Sequence, residues 1–560
     1  MTLMNLLHAP QKSRRRAAIC ILLLTVIFSG LSPAVEHRAD VVVYGDASGG
    51  VTAAVQASRM GKSVILVSQY GHLGGMTSIG LGWTDLGNDA ILGGLSREFY
   101  HRAYQHYLKD AAWTHEARSA FGNARQGRGK ALDPESELAS VFEPKVAEAI
   151  FDAMIEEAKV KVVKGRLTLR NGVRKTGSRI TAIRLNGGAI IEGRMFIDAS
   201  YEGDLMAAAG VSFMMGREDN AEFGETGNGN TGVARKNQLR NGINPYRVKG
   251  DPASGLLPGV NPDAGGEVGS GDHRLQAYCY RMVLTDVPAN RVLVPKPAGY
   301  DESRYEILFR SIEAGQKWGF FKTSMLPNRK TDSNNTGGIS CDYIGANYGK
   351  DWNWATLDHE EREKLAAEHR DWQLGLVWTL QNHPRVPEEV RRMHARWGLA
   401  KDEFTDNGNW PYNLYVREAR RMRSDFVMTE NHCKGTLPVD DPVGQGAYTL
   451  DSHNTQRFVH NGMVKNEGDI QRSLGGKPYG ISYRAIVPTA AECGNLLVPW
   501  ALSATHIAFG SIRMEPVFMI LGQSAATAAC LAIDQDVSVQ GLPYKDLRAR
   551  LVADDLRLDS

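Results

Sequence analysis

The residues with the clearest chemical capacity form a glycine turn, Gly45-Asp46-Ala47-Ser48-Gly49-Gly50. An apolar, β-branched run at 39–44 precedes it, and small and apolar residues at helical spacing follow over 51–61. A glycine turn between strand and helix suits the pyrophosphate of a dinucleotide. Its backbone approaches the phosphates closely, and the helix N-terminus offers unpaired N–H groups and a positive dipole end. Gly45 permits the tight exit from the strand, and Gly50 lets the helix pack close to it. Ala47 stands where the fingerprint has its second glycine, and Ser48 lies beside it in the turn. The carboxylate about 20 residues on that reads the ribose hydroxyls is missing. Ser68 and Gln69, both neutral, stand there instead.

The elements that must position this turn read as one βαβ unit. It comprises a strand at 39–44, a helix over 51–61 and a strand at 63–68, with the turn at the carboxyl end of the first strand. The glycine-dense stretch 72–83 follows directly, a place where backbone approaches something flat or anionic. Helices are expected over 90–109 and 144–158, the second opened by Pro144. A strand at 160–163 and a hairpin around Asn186-Gly187-Gly188 come next. An apolar strand at 195–198 then ends in Ala199-Ser200-Tyr201-Glu202-Gly203-Asp204. From about 215 the composition changes, with a Gly- and Asn-rich stretch over 220–271 and helices expected at 358–382, 387–398 and 414–423. Near the end, a strand at 495–499 leads to a loop over 503–514 holding His506, Gly510, Ser511 and Arg513. Glu515-Pro516 opens a last helix with a small-residue surface. The expectation is an α/β chain: a Rossmann-like dinucleotide-binding domain split in sequence, 35–214 and 476–560, with an α+β substrate or cap domain inserted at 215–475.

Composition bounds the rest. Of 560 residues, 42% are hydrophobic and 23% charged, ordinary for a globular protein. Lys+Arg at 65 nearly balances Asp+Glu at 63, and no basic tract lies beyond the first twenty residues, so nucleic acid is not an expected partner. Residues 1–34 combine a basic segment at 12–16, an apolar stretch at 17–31 and Ser32-Pro33-Ala34 as a cleavage site. They predict a signal peptide and export to the periplasm or beyond, with no stable membrane insertion after its removal. Ser13-Arg14-Arg15 adds a twin-arginine character. Cys279, Cys341, Cys433, Cys493 and Cys530 lie far apart with no C-x-x-C pair, so neither a disulfide framework nor a metal site is indicated.

Four motifs occur in order: Gly45-x-Ala47-x-x-Gly50, residues 72–78, residues 196–204, and Gly510-Ser511-Ile512-Arg513-Met514-Glu515-Pro516. Together they resemble the FAD-dependent oxidoreductases of the glutathione reductase superfamily. More narrowly, they resemble an exported bacterial subgroup that also carries motifs at 408–411, 416–422 and 478–488. The likeness runs over nearly all of 39–540. It implies noncovalent FAD, with the pyrophosphate at the turn of Gly45, Ala47, Ser48 and Gly50. Gly74, Gly75, Met76 and Thr77 would pass along the ribityl chain and the flavin ring. Ser68 would stand at the ribose, Val162 would offer backbone to the adenine, and Ala199 and Gly203 would flank the dinucleotide. Ser511, in the preceding loop, would contact the cofactor, and Pro516 would begin the helix aimed at the flavin pyrimidine edge, where the dipole and Arg513 would stabilise a reduced, anionic ring.

His506 lies just before that helix and is the expected base. Tyr483 and Arg484, expected in a strand, are candidates for binding a polar substrate. Arg417, Arg420 and Arg421 are expected on one helix, His453 is a further candidate, and Trp83, Trp410 and Tyr412 are candidates for stacking on a sugar. No cysteine pair near Gly74 and no second glycine fingerprint are present, which leaves a small-molecule substrate and an unidentified electron acceptor as partners. Three readings stay open on the residues. One is an oxidoreductase acting by hydride transfer at flavin N5 on a small polar substrate, with carbohydrate as the suggested class. The others are an FAD-containing lyase or isomerase of sugars or polysaccharides, and a noncatalytic binding protein.

Overall fold

The structure, a computed structural model, describes residues 36–127, 129–343 and 354–559. The expected signal peptide lies outside the described residues. Strand β1 (Glu36–Tyr44) carries Val41, Val42, Val43 and Tyr44, all fully buried, because helices and loops cover both faces of the sheet. Helix α1 (Ser48–Arg59) connects it to β2 (Val64–Ser68), which lies parallel with Val41 opposite Val64 and Val43 opposite Leu66. Helices α2 (Gly94–Tyr107) and α3 (Pro144–Glu157) follow, then β3 (Lys161–Lys164), parallel to β2. A meander of β4 (Val173–Thr176), β5 (Arg179–Arg184) and β6 (Ile190–Asp198) completes the first pass, and β6 returns parallel to β1. The order is β3-β2-β1-β6-β5-β4. Leu496–Leu497, some 300 residues later, pairs parallel with Phe196 and Ile197 of β6. The far end of the chain therefore completes the sheet that residue 36 begins.

The intervening chain forms a second, antiparallel sheet from β7 (Leu284–Thr285), β8 (Arg291–Val292), β9 (Ser324–Leu326), β10 (Lys330–Asp332) and β11 (Gly398–Ala400), in the order β8-β11-β7-β10-β9. The same part of the chain holds α4 (His359–Asn382), started by a capping box between Asp358 and Glu361. The fully buried Lys330 is held here by Glu143 at 2.7 Å, Asp402 at 2.7 Å and Glu403 at 2.5 Å. These three carboxylates stand close enough to hold a metal ion, but the Lys330 ammonium fills their centre.

Three local expectations are corrected. The segment 414–423 is extended rather than helical, apart from Arg421–Met422, which pairs as a strand with Phe213–Met214. Its arginines are spent on distant partners: Arg417 on Asp342 and the Ala277 carbonyl, Arg420 on Asp204, Arg421 on Glu218. A helix would have turned them to one local face. The expected loop 503–514 contains α5 (His506–Ile512), whose start is capped by the Thr505 hydroxyl. Tyr483 and Arg484 form a 3₁₀ turn, Tyr483–Ala485, capped by Ser482.

The last helix of the core, α6 (Glu515–Asp534), is long and apolar enough to cross a membrane, yet 94% of its most apolar window is buried inside the protein. It packs on α1 through glycine. A Cβ at Gly522 would lie 2.0 Å from the Gly49 carbonyl oxygen, and one at Gly49 would lie 2.6 Å from that of Phe518. Thr52 of α1 donates to the Met519 carbonyl at 2.8 Å across the same crossing.

Candidate functional site

The glycine turn leaves β1 at Gly45, whose φ of +113° is open to glycine and strained for any other residue. A Cβ there would strike the Ala199 carbonyl carbon at 2.5 Å, so the turn lies directly against the end of β6. Ala199 N–H donates to the Tyr44 carbonyl at 2.8 Å. A Cβ at Gly50 would meet the Gly45 carbonyl oxygen at 2.0 Å, the close approach of helix to strand that the sequence implied. The 74–77 segment closes on the other side. Gly74 N–H donates to the Asp46 carbonyl at 2.8 Å, Gly74 bridges Ala47, and the space beside Gly75 is taken by the Tyr201 hydroxyl. That hydroxyl accepts from Met76 N–H at 2.6 Å.

Glu515 knots these segments together. Its carboxylate accepts from Ser48 Oγ at 2.5 Å, from Thr77 Oγ1 at 2.8 Å and from the Tyr201 hydroxyl at 3.2 Å. Burial pushes its pKa up to about 7 although the three hydrogen bonds pull the other way. The stretches around 45, 200 and 515 thus converge on one point. Helices α1 and α6 both start there, at Ala47 and Met514, and neither has a side-chain cap. Two uncapped helix N-termini meeting in a buried place fit a pyrophosphate, which supplies the acceptors that the missing caps do not. A carboxyl that is protonated at slightly acid pH tolerates that anion beside it.

The carboxylate absent from position 68 has a counterpart that sequence reasoning missed. Asp46, inside the turn, accepts from Ser68 Oγ at 2.7 Å and from Tyr70 N–H at 3.1 Å, and burial raises its pKa against these bonds. The signal was visible, an acidic residue within the fingerprint, but only the parallel pairing of β1 and β2 brings it to Ser68. Val162 sits in β3 opposite Leu66, partly exposed. Gly203, at φ +64°, precedes the helix Asp204–Ala208. Ser511 is bound within the protein: its hydroxyl donates to the Tyr448 carbonyl at 2.6 Å and accepts from the Tyr479 hydroxyl at 2.7 Å. Pro516 occupies the first turn of α6.

The other expected residues divide. Arg513 does not pair with its neighbour Glu515. It donates to Asp451 at 2.8 Å and to the Tyr415 hydroxyl at 2.9 Å, on the wall of a cavity of about 350 Å³. Trp83, Arg281, Arg417 and His453 line the same cavity. His506 does not. It is fully buried, with Nδ1 on Glu418 at 2.7 Å and Nε2 on Ser452 Oγ at 3.0 Å. Tyr483 donates to the Val539 carbonyl at 2.7 Å and Arg484 to Asp441 at 3.1 Å, and neither lines the cavity. Trp410 is buried, and Tyr412 stacks on His72 at 3.4 Å. The histidine that faces the cavity is His453. Its Nδ1 lies 2.7 Å from Asp342, whose carboxyl is held well below its usual range: burial alone would raise it, but Arg417 and His453 prevail. Its other nitrogen, Nε2, stands 3.6 Å from Asp451, so the imidazole is held between two carboxylates on the cavity wall. The sequence offered His453 as a further candidate behind His506, and tertiary placement reverses that order by putting His453 on the cavity wall.

A comparison with protein families matches residues 40–551 to the family described as FAD dependent oxidoreductase. Among curated proteins nothing matches. Solved structures that resemble the chain include L-amino acid deaminase from Proteus vulgaris, at 15% identity over 37% of this chain and 56% of that one, with a TM-score of 0.23. A 3-ketosteroid-Δ4-(5α)-dehydrogenase from Rhodococcus jostii shares 16% identity over 32% and 50%, with a TM-score of 0.20. The L-proline dehydrogenase of P. horikoshii shares 14% over 33% and 59%, with a TM-score of 0.22. The chain therefore spans about half to three fifths of the length of these proteins.

Proposed function

This chain belongs to the FAD dependent oxidoreductase family, and from that premise we propose that it is an exported flavoenzyme that oxidises or reduces a small polar, hydroxyl-rich substrate. When bound, FAD would supply the two-electron chemistry, with flavin N5 as the site of hydride exchange. In this reading the turn of Gly45, Ala47, Ser48 and Gly50 binds the pyrophosphate, with Asp46 beside Ser68 at the end of β2. Gly74, Gly75, Met76 and Thr77 face the ribityl chain and flavin, Val162 the adenine, and Ala199 and Gly203 the edge of the dinucleotide. His453 takes the substrate hydroxyl proton during oxidation, Asp342 positions it, and His506 holds Ser452 in place. The division into 35–214 and 476–560 around an inserted 215–475 belongs to the same proposal, as does cleavage of 1–34, supported by the basic and apolar pattern of that segment.

The observation that carries the substrate reading is the position of the polar cavity. One wall is Trp83, at the end of the glycine-dense stretch that includes Gly74–Thr77, and another is Arg513, three residues before Pro516. Two segments assigned to the flavin thus meet one chamber lined with arginine, aspartate and amide side chains, the donor and acceptor mixture that a polyol requires. The test is an absorbance spectrum of the purified mature protein followed by an anaerobic substrate screen. A yellow protein that bleaches with a polyhydroxylated substrate is expected. Bound flavin that never bleaches with any donor would overturn the oxidoreductase reading, and an unsaturated sugar product formed without bleaching would replace it with elimination.

A further inference from the structure

The cavity identifies a narrower class of substrate than a polar one, given the flavoenzyme reading on which this step rests. Three guanidinium groups surround a single ring: Arg417 lies 4.4 Å, Arg281 5.7 Å and Arg513 6.0 Å from the Tyr415 centroid. Their side chains are 1%, 5% and 2% exposed. Each makes one ion pair: Arg281 with Asp332 at 2.6 Å, Arg417 with Asp342 at 2.9 Å, Arg513 with Asp451 at 2.8 Å. The Nε–H groups of Arg281 and Arg513 are buried without an acceptor. Lys236 and Lys322 add charge at the exposed rim. Five cationic side chains thus line the cavity against two carboxylates, Asp85 and Asp451, while Asp332 and Asp342 stand behind the arginines. Counted with Asp332 and Asp342, four carboxylates face the five cations, and the positive charge left over favours an anionic ligand. Planar guanidinium forks match a carboxylate.

A second cavity of about 470 Å³ adjoins this one, and Lys236 and Gln471 line both. Its walls include Asn228, Asn230, Thr226 and Thr231 from the Gly- and Asn-rich stretch, together with Arg472. The side chains of Thr226, Asn228, Asn230 and Thr231 are hydrogen-bonded within the protein, and the exposed Arg235, Lys236 and Gln471 are what this cavity offers to the hydroxyls and carboxylates of a following sugar unit. We propose that the two cavities bind the end of an acidic oligosaccharide: the terminal sugar acid lies against Arg281, Arg417 and Arg513, and the following units pass Lys236 into the outer cavity.

The test is calorimetric titration of the FAD-loaded protein, without air and without an electron acceptor. The probes are glucuronate, galacturonate and mannuronate, each against its neutral hexose and each against its own homotrimer. At least one uronate should bind about tenfold more tightly than its hexose, and its trimer about fivefold more tightly again. Lys236→Ala should weaken the trimer about fivefold and the monomer by no more than about threefold, since Lys236 also adds charge to the inner cavity. Lys322→Ala should weaken uronates about threefold and hexoses not at all. Both lysines are exposed, so these variants spare the fold, and matched melting curves confirm it. Equal binding of every uronate and its hexose, absence of uronate binding, or trimers no tighter than monomers would overturn the proposal. Because the readout is heat of binding, its failure is separable from that of the oxidoreductase reading, which shows as flavin that never bleaches.

Discussion

At the scale of single residues, Glu515 and His453 carry the sharpest consequences. The Glu515 carboxyl titrates near 7 in the folded protein because burial disfavours its charge, while in an unfolded chain it titrates at its ordinary 4.5. The native state therefore binds more protons than the unfolded state between these values. Stability contributed by the protonated carboxyl is complete below about 4.5 and is lost as pH rises through about 7. Glu515→Gln should remove that loss. Thermal melts of FAD-free protein should show the variant ahead of the wild type at pH 8 by an amount on the order of 2–3 kcal/mol, and little difference at pH 4.5. His453→Asn should leave flavin absorbance intact and slow substrate-driven bleaching by roughly a hundredfold or more. His506→Asn should instead lower the melting temperature, because its ring ties Glu418 to Ser452. Rapid-mixing absorbance of both variants under anaerobic conditions separates the two histidines. The sequence showed two histidines near acidic and hydroxyl residues, and the distinction between them lay in which ring faced open space.

At the scale of elements, the crossing of α1 and α6 is the joint on which the site depends. Gly49 and Gly522 bring the two helices into backbone contact, so that both N-termini meet at Glu515. Gly522→Ala would place a methyl 2.0 Å from the Gly49 carbonyl oxygen, forcing the helices apart at a cost of about 1–3 kcal/mol. The expected outcome is a lower melting temperature together with weaker retention of FAD on gel filtration. A second joint is Lys330, which ties β10 to the start of α3 and to the turn at 402–403. Lys330→Met would leave Glu403 buried without its cation and Glu143 with only Lys145 at 3.6 Å, and should destabilise by about 3–5 kcal/mol, read from denaturant midpoints. The small surface of α6 was legible as a packing face, because Gly, Ala and Ser recur along it. Its partner was not: such a face suits tight packing on a sheet, and here it packs on the helix α1. The stretch 414–423 misled for a related reason: its local pattern suits a helix, but three arginines with distant acceptors overrode local propensity.

At the scale of the whole molecule, the sheet is assembled from chain segments some 300 residues apart, and the glycine turn, the 74–77 segment, Tyr201 and α6 close around one point. FAD bound there, as proposed, would hold segments from both ends of the chain at once. Added at about a hundred times its dissociation constant, it should stabilise the protein by about 2.7 kcal/mol and raise the melting temperature accordingly. Unchanged melting with FAD would contradict a site shared by these segments. What the sequence determined by itself is what local chemistry enforces. The βαβ unit follows from its hydrophobic run, glycine turn and helical spacing, the long helices from their caps and periodicity, and the family from the order of four motifs. Tertiary structure decided everything that depends on distance through space. It put Asp46 beside Ser68, Glu515 among Ser48, Thr77 and Tyr201, three arginines around Tyr415, and His453 rather than His506 on the cavity wall. Periodicity and spacing report neighbours along the chain, whereas charge pairing, burial and access to a cavity are set by which distant segments share a volume.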